Sequence, residues 1–164
     1  MIDLKAKVDA MLVGAAGEHY VISQLLLQGL NAGLAPIGAK AVDVLTMSAD
    51  GMIRDHIQVK TARGRRSWHM GVKHEALDSK SALYTFVAFM PEGQEVFVIP
   101  GEVVGKVVRE SHRIWLETPG MKGQKHNDNA MRMLHYEYKN LEIPCAPPGW
   151  MEQYRDAWDL LSAH

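Results

Sequence analysis

Hydrophobic and polar residues follow two periods along this chain, and the switches between them mark its elements. Over residues 3–28, apolar residues recur at Leu4, Val8, Leu12, Ala15, Ile22, Leu25 and Leu26, near a helical repeat. Gly14 and Gly17 weaken the middle and predict a helix in two pieces, and Gly29 supplies a stop. Leu34 to Ile37 reads as a short extended piece, with Pro36 placing it at an edge. The period then drops to two. Residues 41–47 and 53–61 read as strands flanking Asp50-Gly51, the strongest local signal for a hairpin. Residues 62–81 are polar and irregular. Leu83 to Met90 and Glu95 to Ile99 read as strands around the turn Pro91-Glu92-Gly93. A helix near 102–110 gathers Val103, Val104, Val107 and Val108 on one stripe. Residues 117–130 read as loop, followed by a short helix around 128–135. A final amphipathic helix, about 150–162, carries Trp150, Tyr154, Trp158 and Leu161. Helix, three or four mixed strands, then helix predicts an α/β fold with a central mixed sheet.

The hairpin places chemistry. If Asp50 and Gly51 alone form the loop, Asp43 stands directly opposite Gln58, and Lys60 follows on the same face. Val42, Val44, Ile57 and Val59 then make the opposite, core-facing side. A carboxylate, an amide oxygen and an ammonium on one face suit a divalent metal with a lysine beside it. A four-residue loop from Ser48 to Gly51 would set Asp43 opposite His56 and still keep the group together. A three-residue loop with no compensating bulge would turn Asp43 to the other face. On the first helix, Glu18 shares a line with Ala15, Ile22 and Leu25. A carboxylate on a sheet-facing line calls for a cation nearby.

Bulk properties narrow the classes. The 164 residues are 47% hydrophobic and 23% charged, which predicts one globular domain over 1–164. The net charge of −1 excludes a global basic field, though not a local basic patch. Cys145, the single cysteine, cannot form an internal disulfide. The unbroken apolar runs are too short to span a bilayer, and the N-terminus lacks a signal-peptide layout. A cytoplasmic protein without a membrane partner is the expectation.

The strings Gly17-Glu18, Val42-Asp43-Val44-Leu45 and Ile57-Gln58-Val59-Lys60-Thr61 resemble the PD-(D/E)xK nuclease superfamily, which includes restriction endonucleases and Holliday-junction resolvases. The resemblance covers roughly residues 14–61, and later elements match only in general order. It implies a restriction-endonuclease-like central mixed β-sheet flanked by helices. It implies a metal-dependent DNA endonuclease with Asp43, Gln58 and Glu18 as ligands to Mg²⁺ or Mn²⁺, and Lys60 placing the attacking water. Thr61 would hydrogen-bond around this group. Two departures stand out: Val42 occupies a position where proline is common, and Gln58 replaces the usual acid. An amide oxygen can ligate such ions but brings no charge. The resemblance also implies DNA as partner, with Arg63, Arg65, Arg66 and His56 near its backbone, and a possible homodimer through the C-terminal helix. Two other readings follow from Gln58 and the neutral charge. One is a nuclease-fold DNA-binding module with impaired catalysis. The other is a structural or interaction subunit without DNA affinity.

The remaining polar residues carry weaker patterns. His69 and His74, and His126 and His135, have no ligand spacing and read as surface or hydrogen-bonded residues. Lys73, Ser79, Lys80 and Ser81 are possible groove residues. Trp150 and Trp158 read as core or interface anchors.

Overall fold

The computed structural model describes residues 6–39, 41–77 and 82–161. Helix α1 (Ala10–Leu27) starts where the Asp9 side chain accepts the Met11 N–H at 2.7 Å, satisfying one of the unpaired amides of the first turn. It runs unbroken through Gly14 and Gly17 and closes at Gly29, whose φ of 81° lets Leu30 N–H reach back to Leu25 C=O. The expected break is absent because Gly17 is the point of closest approach to the sheet. A Cβ there would overlap the Thr61 hydroxyl and stand 2.9 Å from its Cβ. The helix is shorter at its start than expected; Leu4 lies outside the described residues.

Among the described residues seven strands and one further long helix follow: β1 (Asn31–Leu34), β2 (Val44–Met47), β3 (Ile53–Arg63), β4 (Ser67–Gly71), β5 (Ala82–Met90), β6 (Gly93–Pro100), α2 (Gly101–Glu117) and a last strand, β7 (Met131–His135). The main sheet has the order β1-β2-β3-β5-β6. Only β3 and β5 are parallel, so the sheet is mixed as expected. On one side α1 packs Val21 and Leu25 against Val44, Ile57, Val59, Leu83, Val87, Val96 and Val98. On the other, Tyr84, Phe86, Ala88, Phe97 and Ile99 meet Val104, Val107 and Val108 of α2, and Trp68 and Leu134 of a small β4–β7 ribbon. The period-two strands thus serve two cores at once.

Four expectations are corrected. The extended piece lies at Asn31–Leu34, before Pro36. The irregular stretch 62–81 contains the end of β3, then β4 and a 3₁₀ turn at Val72–Ala76; Ser79, Lys80 and Ser81 lie outside the described residues. The short helix near 128–135 is strand β7, which pairs antiparallel with β4, so a partner distant in sequence overrides local preference. The C-terminal helix is replaced by two 3₁₀ turns, Glu152–Tyr154 and Trp158–Leu161. Between them Asp156 adopts a φ of 49° and bonds Val96 C=O at 3.0 Å, anchoring the segment to β6. Trp150 and Trp158 are buried as core anchors. The apolar-run argument is also corrected. By length and composition alone, α1 is long and apolar enough to cross a membrane.

Candidate functional site

The hairpin loop has three residues, Ala49 to Gly51. Ser48 N–H bonds Met52 C=O and Gly51 N–H bonds Ser48 C=O, both at 2.9 Å, and Gly51 takes a φ of 84°. Uncorrected, that loop would have turned Asp43 to the wrong face. A bulge intervenes. Met47 pairs with Ile53, yet Leu45 pairs with His56 and Val44 with Ile57, so β3 carries one extra residue opposite Thr46. Thr46 Oγ1 fixes it, accepting Asp55 N–H at 3.1 Å and donating to the buried Asp55 carboxylate. Beyond the bulge the register is the one that sets Asp43 opposite Gln58.

Asp43 sits one residue before β2 and is held from both sides. Its N–H donates to Ile57 C=O, and its C=O accepts from Ala35 N–H, each at 2.9 Å. Its Oδ2 accepts the Val59 N–H at 2.8 Å and the Gln58 side-chain amide. Lys60 is half-buried on the Gln58 face. Burial pushes its ammonium below the usual lysine range. Asp43 works against that shift, Lys73 adds to it and Glu18 opposes it. Burial, followed by the neighbouring Asp43 charge, raises the Glu18 carboxyl, while His19 and Lys60 partly offset this. Glu18, Asp43 and Lys60 are therefore electrostatic neighbours, and Gln58 is hydrogen-bonded to Asp43.

Three residues that carried no distinctive sequence signal join them. Tyr84 pairs with Gln58 across β3 and β5, and burial with Asp43 pushes its phenol up to about 12. His74 is buried edge-on to Tyr84, with ring centroids 5.8 Å apart. Its Nδ1 lies 3.0 Å from Gly71 N–H, and burial, Lys60 and Lys73 depress its pKa against the opposing Gly71 hydrogen bond. Lys73 is exposed beside it. Lys73 and His74 arrive on the 3₁₀ turn that follows β4, whose pairing with β7 is invisible to local pattern, whereas Tyr84 arrives on β5.

Other expected residues are placed differently. Thr61 faces α1 at Gly17, and its hydroxyl has no hydrogen-bond partner among the described residues, so it does not join the Asp43 group. Arg66 is bound by Glu95 and lies over the Tyr136 ring at 5.3 Å, a structural pairing rather than an open arginine. Arg63 donates to Ala6 C=O at 2.7 Å. Arg65 is exposed in the turn after β3, and His56 is exposed on the Gln58 face. His126 stacks on Trp115 at 4.0 Å.

Mixed sheet, flanking helices and the order helix–strand–strand define the restriction-endonuclease-like fold. Among solved structures, the chain is similar to a bacterial homing endonuclease, I-Ssp6803I, with a TM-score of 0.50 and 17% identity over 94% of this chain and 91% of that one. No family model matches the sequence, and no curated protein matches it.

A divalent ion fits the donors present. Among the described residues no group of three or more His, Cys, Asp or Glu gathers as a metal site; the side chain bonded to Asp43 is the neutral Gln58. The available donors, Asp43, Gln58 and Glu18, are all hard oxygens of the kind Mg²⁺ and Mn²⁺ prefer. Burial and then the Asp43 charge raise the Glu18 carboxyl, and a cation would relieve that cost.

Proposed function

We propose that this protein is a metal-dependent DNA endonuclease that hydrolyses phosphodiester bonds. The carrying observation is the convergence of Asp43, Gln58 and Lys60 at the bulge-corrected end of the hairpin, with Glu18 in electrostatic reach. Asp43, Gln58 and Glu18 would hold the ion, which supplies charge neutralisation at the phosphate and lowers the pKa of a bound water. Asp43 is prevented from rotating away by the Val59 N–H. Lys60, with its depressed pKa, orients the attacking water and can take up its proton more readily than a free lysine holding its charge. Exposed Arg65 and Lys73, together with His56, offer contacts to the DNA backbone.

Linear, nicked, branched and single-stranded DNA, each incubated with Mg²⁺ or Mn²⁺, test this reading. Cleavage is expected in at least one arm, higher with Mn²⁺. Asp43→Ala and Lys60→Ala should each lower it by about 10²-fold or more. Gln58→Glu should raise it by about tenfold by restoring a charged ligand. Unchanged cleavage in the Asp43 and Lys60 variants would sink the assignment.

A second reading has its own support. The Gln58 amide donates to Asp43, so its N–H₂ end satisfies the carboxylate without a cation. A nuclease-fold module that binds DNA without cutting it would show divalent-dependent binding and no product, with Gln58→Glu inert.

A further inference from the structure

Among the described residues, helix α1 leaves an apolar face exposed. Between Ala10 and Leu27 the sole Asp, Glu, Lys or Arg is Glu18, which belongs to the candidate site. Only Gly17, Val21 and Leu25 are buried. Yet Met11 is 76% exposed, Leu12 59%, Leu26 52% and Leu27 81%. A surface helix of a monomer ordinarily carries charge on its outer side.

The outward residues are arranged symmetrically about His19. Leu12 and Leu26 lie seven positions on either side of it, Met11 and Leu27 eight, and Ala15 and Ser23 four. Leu12, Ala15, His19 and Leu26 also fall on steps of three, four and seven, the spacing of a helix-pairing seam, while Ile22 packs partly against the core. Large side chains stand at both ends, with small ones and an exposed histidine between them; the His19 ring lies back along its own helix, with Nδ1 2.9 Å from Ala15 O.

We infer that this face docks a second copy of the chain, the two α1 helices crossing antiparallel about a twofold axis at His19. In that arrangement Leu12 of each copy meets the partner's Leu26, and Met11 meets the partner's Leu27, the reciprocal pairing a twofold interface demands. Residues near the axis meet their own counterparts, and no outward position of α1 carries an Asp, Glu, Lys or Arg that would repel its own copy. A membrane fits less well. An interfacial helix would carry Lys or Arg on its polar face, and a spanning one would have to leave β3 and take Glu18 into the bilayer. The helix footprint, about 27 Å by 10 Å, falls short of the roughly 800 Å² per partner of a standard interface. Pairing is therefore reversible and dissociates on dilution.

Sedimentation of the full chain over about a hundredfold concentration range should show the mass rising from the 18.3 kDa monomer towards a dimer. Leu12→Glu with Leu26→Glu, both at exposed positions, should abolish that rise while leaving circular dichroism, and melting at the dilute, monomeric end of the range, unchanged. In a Cys145→Ala background, His19→Cys should cross-link to itself on oxidation. Leu12→Cys should do so only when mixed with Leu26→Cys protein. A monomer at every concentration, a dimer indifferent to the Glu pair, or His19→Cys cross-linking no better than Leu12→Cys alone would overturn the inference. So would Leu12- and Leu26-dependent binding to phosphatidylcholine vesicles without self-association. None of these measurements depends on cleavage.

Discussion

At the scale of single residues, the candidate site is built against folding stability. Lys60 is half-buried, and its pKa lies below that of a free lysine because burial disfavours the ammonium. The sign follows directly. A base with a lowered folded pKa destabilises the native state while it is charged, at all pH values below that pKa. The cost fades as pH rises towards the unfolded value of about 10.4. At neutral pH, Lys60→Met should therefore remove cleavage and raise stability by about 1 kcal/mol, or about 2–4 °C in melting temperature. Raising the pH through the folded Lys60 pKa should narrow the gap between the two proteins. A variant that loses both activity and stability would mean that Lys60 contributes structurally. The pattern around Lys60 was legible in sequence because alternation fixes which side chains share a strand face. Lys73 reads in sequence only as a possible groove residue, His74 as a surface or hydrogen-bonded one and Tyr84 as a strand former, since their nearness depends on where β4, the following turn and β5 come to rest.

At the scale of elements, two contacts set the geometry. One is the bulge at Arg54 and Asp55, which cancels the three-residue loop and restores Asp43 to the Gln58 face. The turn signal was correctly read, but the loop length was not, and the bulge is specified by the Thr46–Asp55 pairing across strands. The other contact is Gly17 against Thr61, which lets α1 lie close enough to β3 for Glu18 to interact with Asp43 and Lys60. Gly17→Ala should cost about 2–3 kcal/mol by overpacking and reduce cleavage by displacing Glu18. Thr61→Ala in the same protein should recover about half of the stability, because the Thr61 hydroxyl has no partner to lose. Chemical denaturation of the single and double variants reads the coupling, and strict additivity would rule out this contact as the cause.

At the scale of the whole molecule, two cores share one sheet, and the candidate site sits where β2 and β3 meet α1 and the β4–β7 ribbon. Under the proposed function, a divalent ion held by Glu18, Asp43 and Gln58 would tie α1 to the β2–β3 hairpin. With Mn²⁺ at ten times its dissociation constant, native stability should rise by about 1.4 kcal/mol, or about 3–5 °C. Chelation should reverse the shift, and Asp43→Ala should not show it. The gain should shrink as pH falls through the raised folded pKa of Glu18, because protons then compete for that carboxyl. A shift that survives in Asp43→Ala would place the ion elsewhere.

The amino-acid sequence alone determined the hairpin, the strand faces, the α2 stripe and the Glu18, Asp43, Gln58 and Lys60 pattern. Each of these depends on backbone periodicity and short-range turn chemistry. Tertiary structure decided the rest. It made residues 131–135 a strand through β4, held the C-terminal segment in two short turns through Asp156 and Val96, and bound Arg66 to Glu95. In each case the deciding partner lies far along the chain, and its burial and hydrogen bonds outweigh a local preference worth only tenths of a kcal/mol per residue.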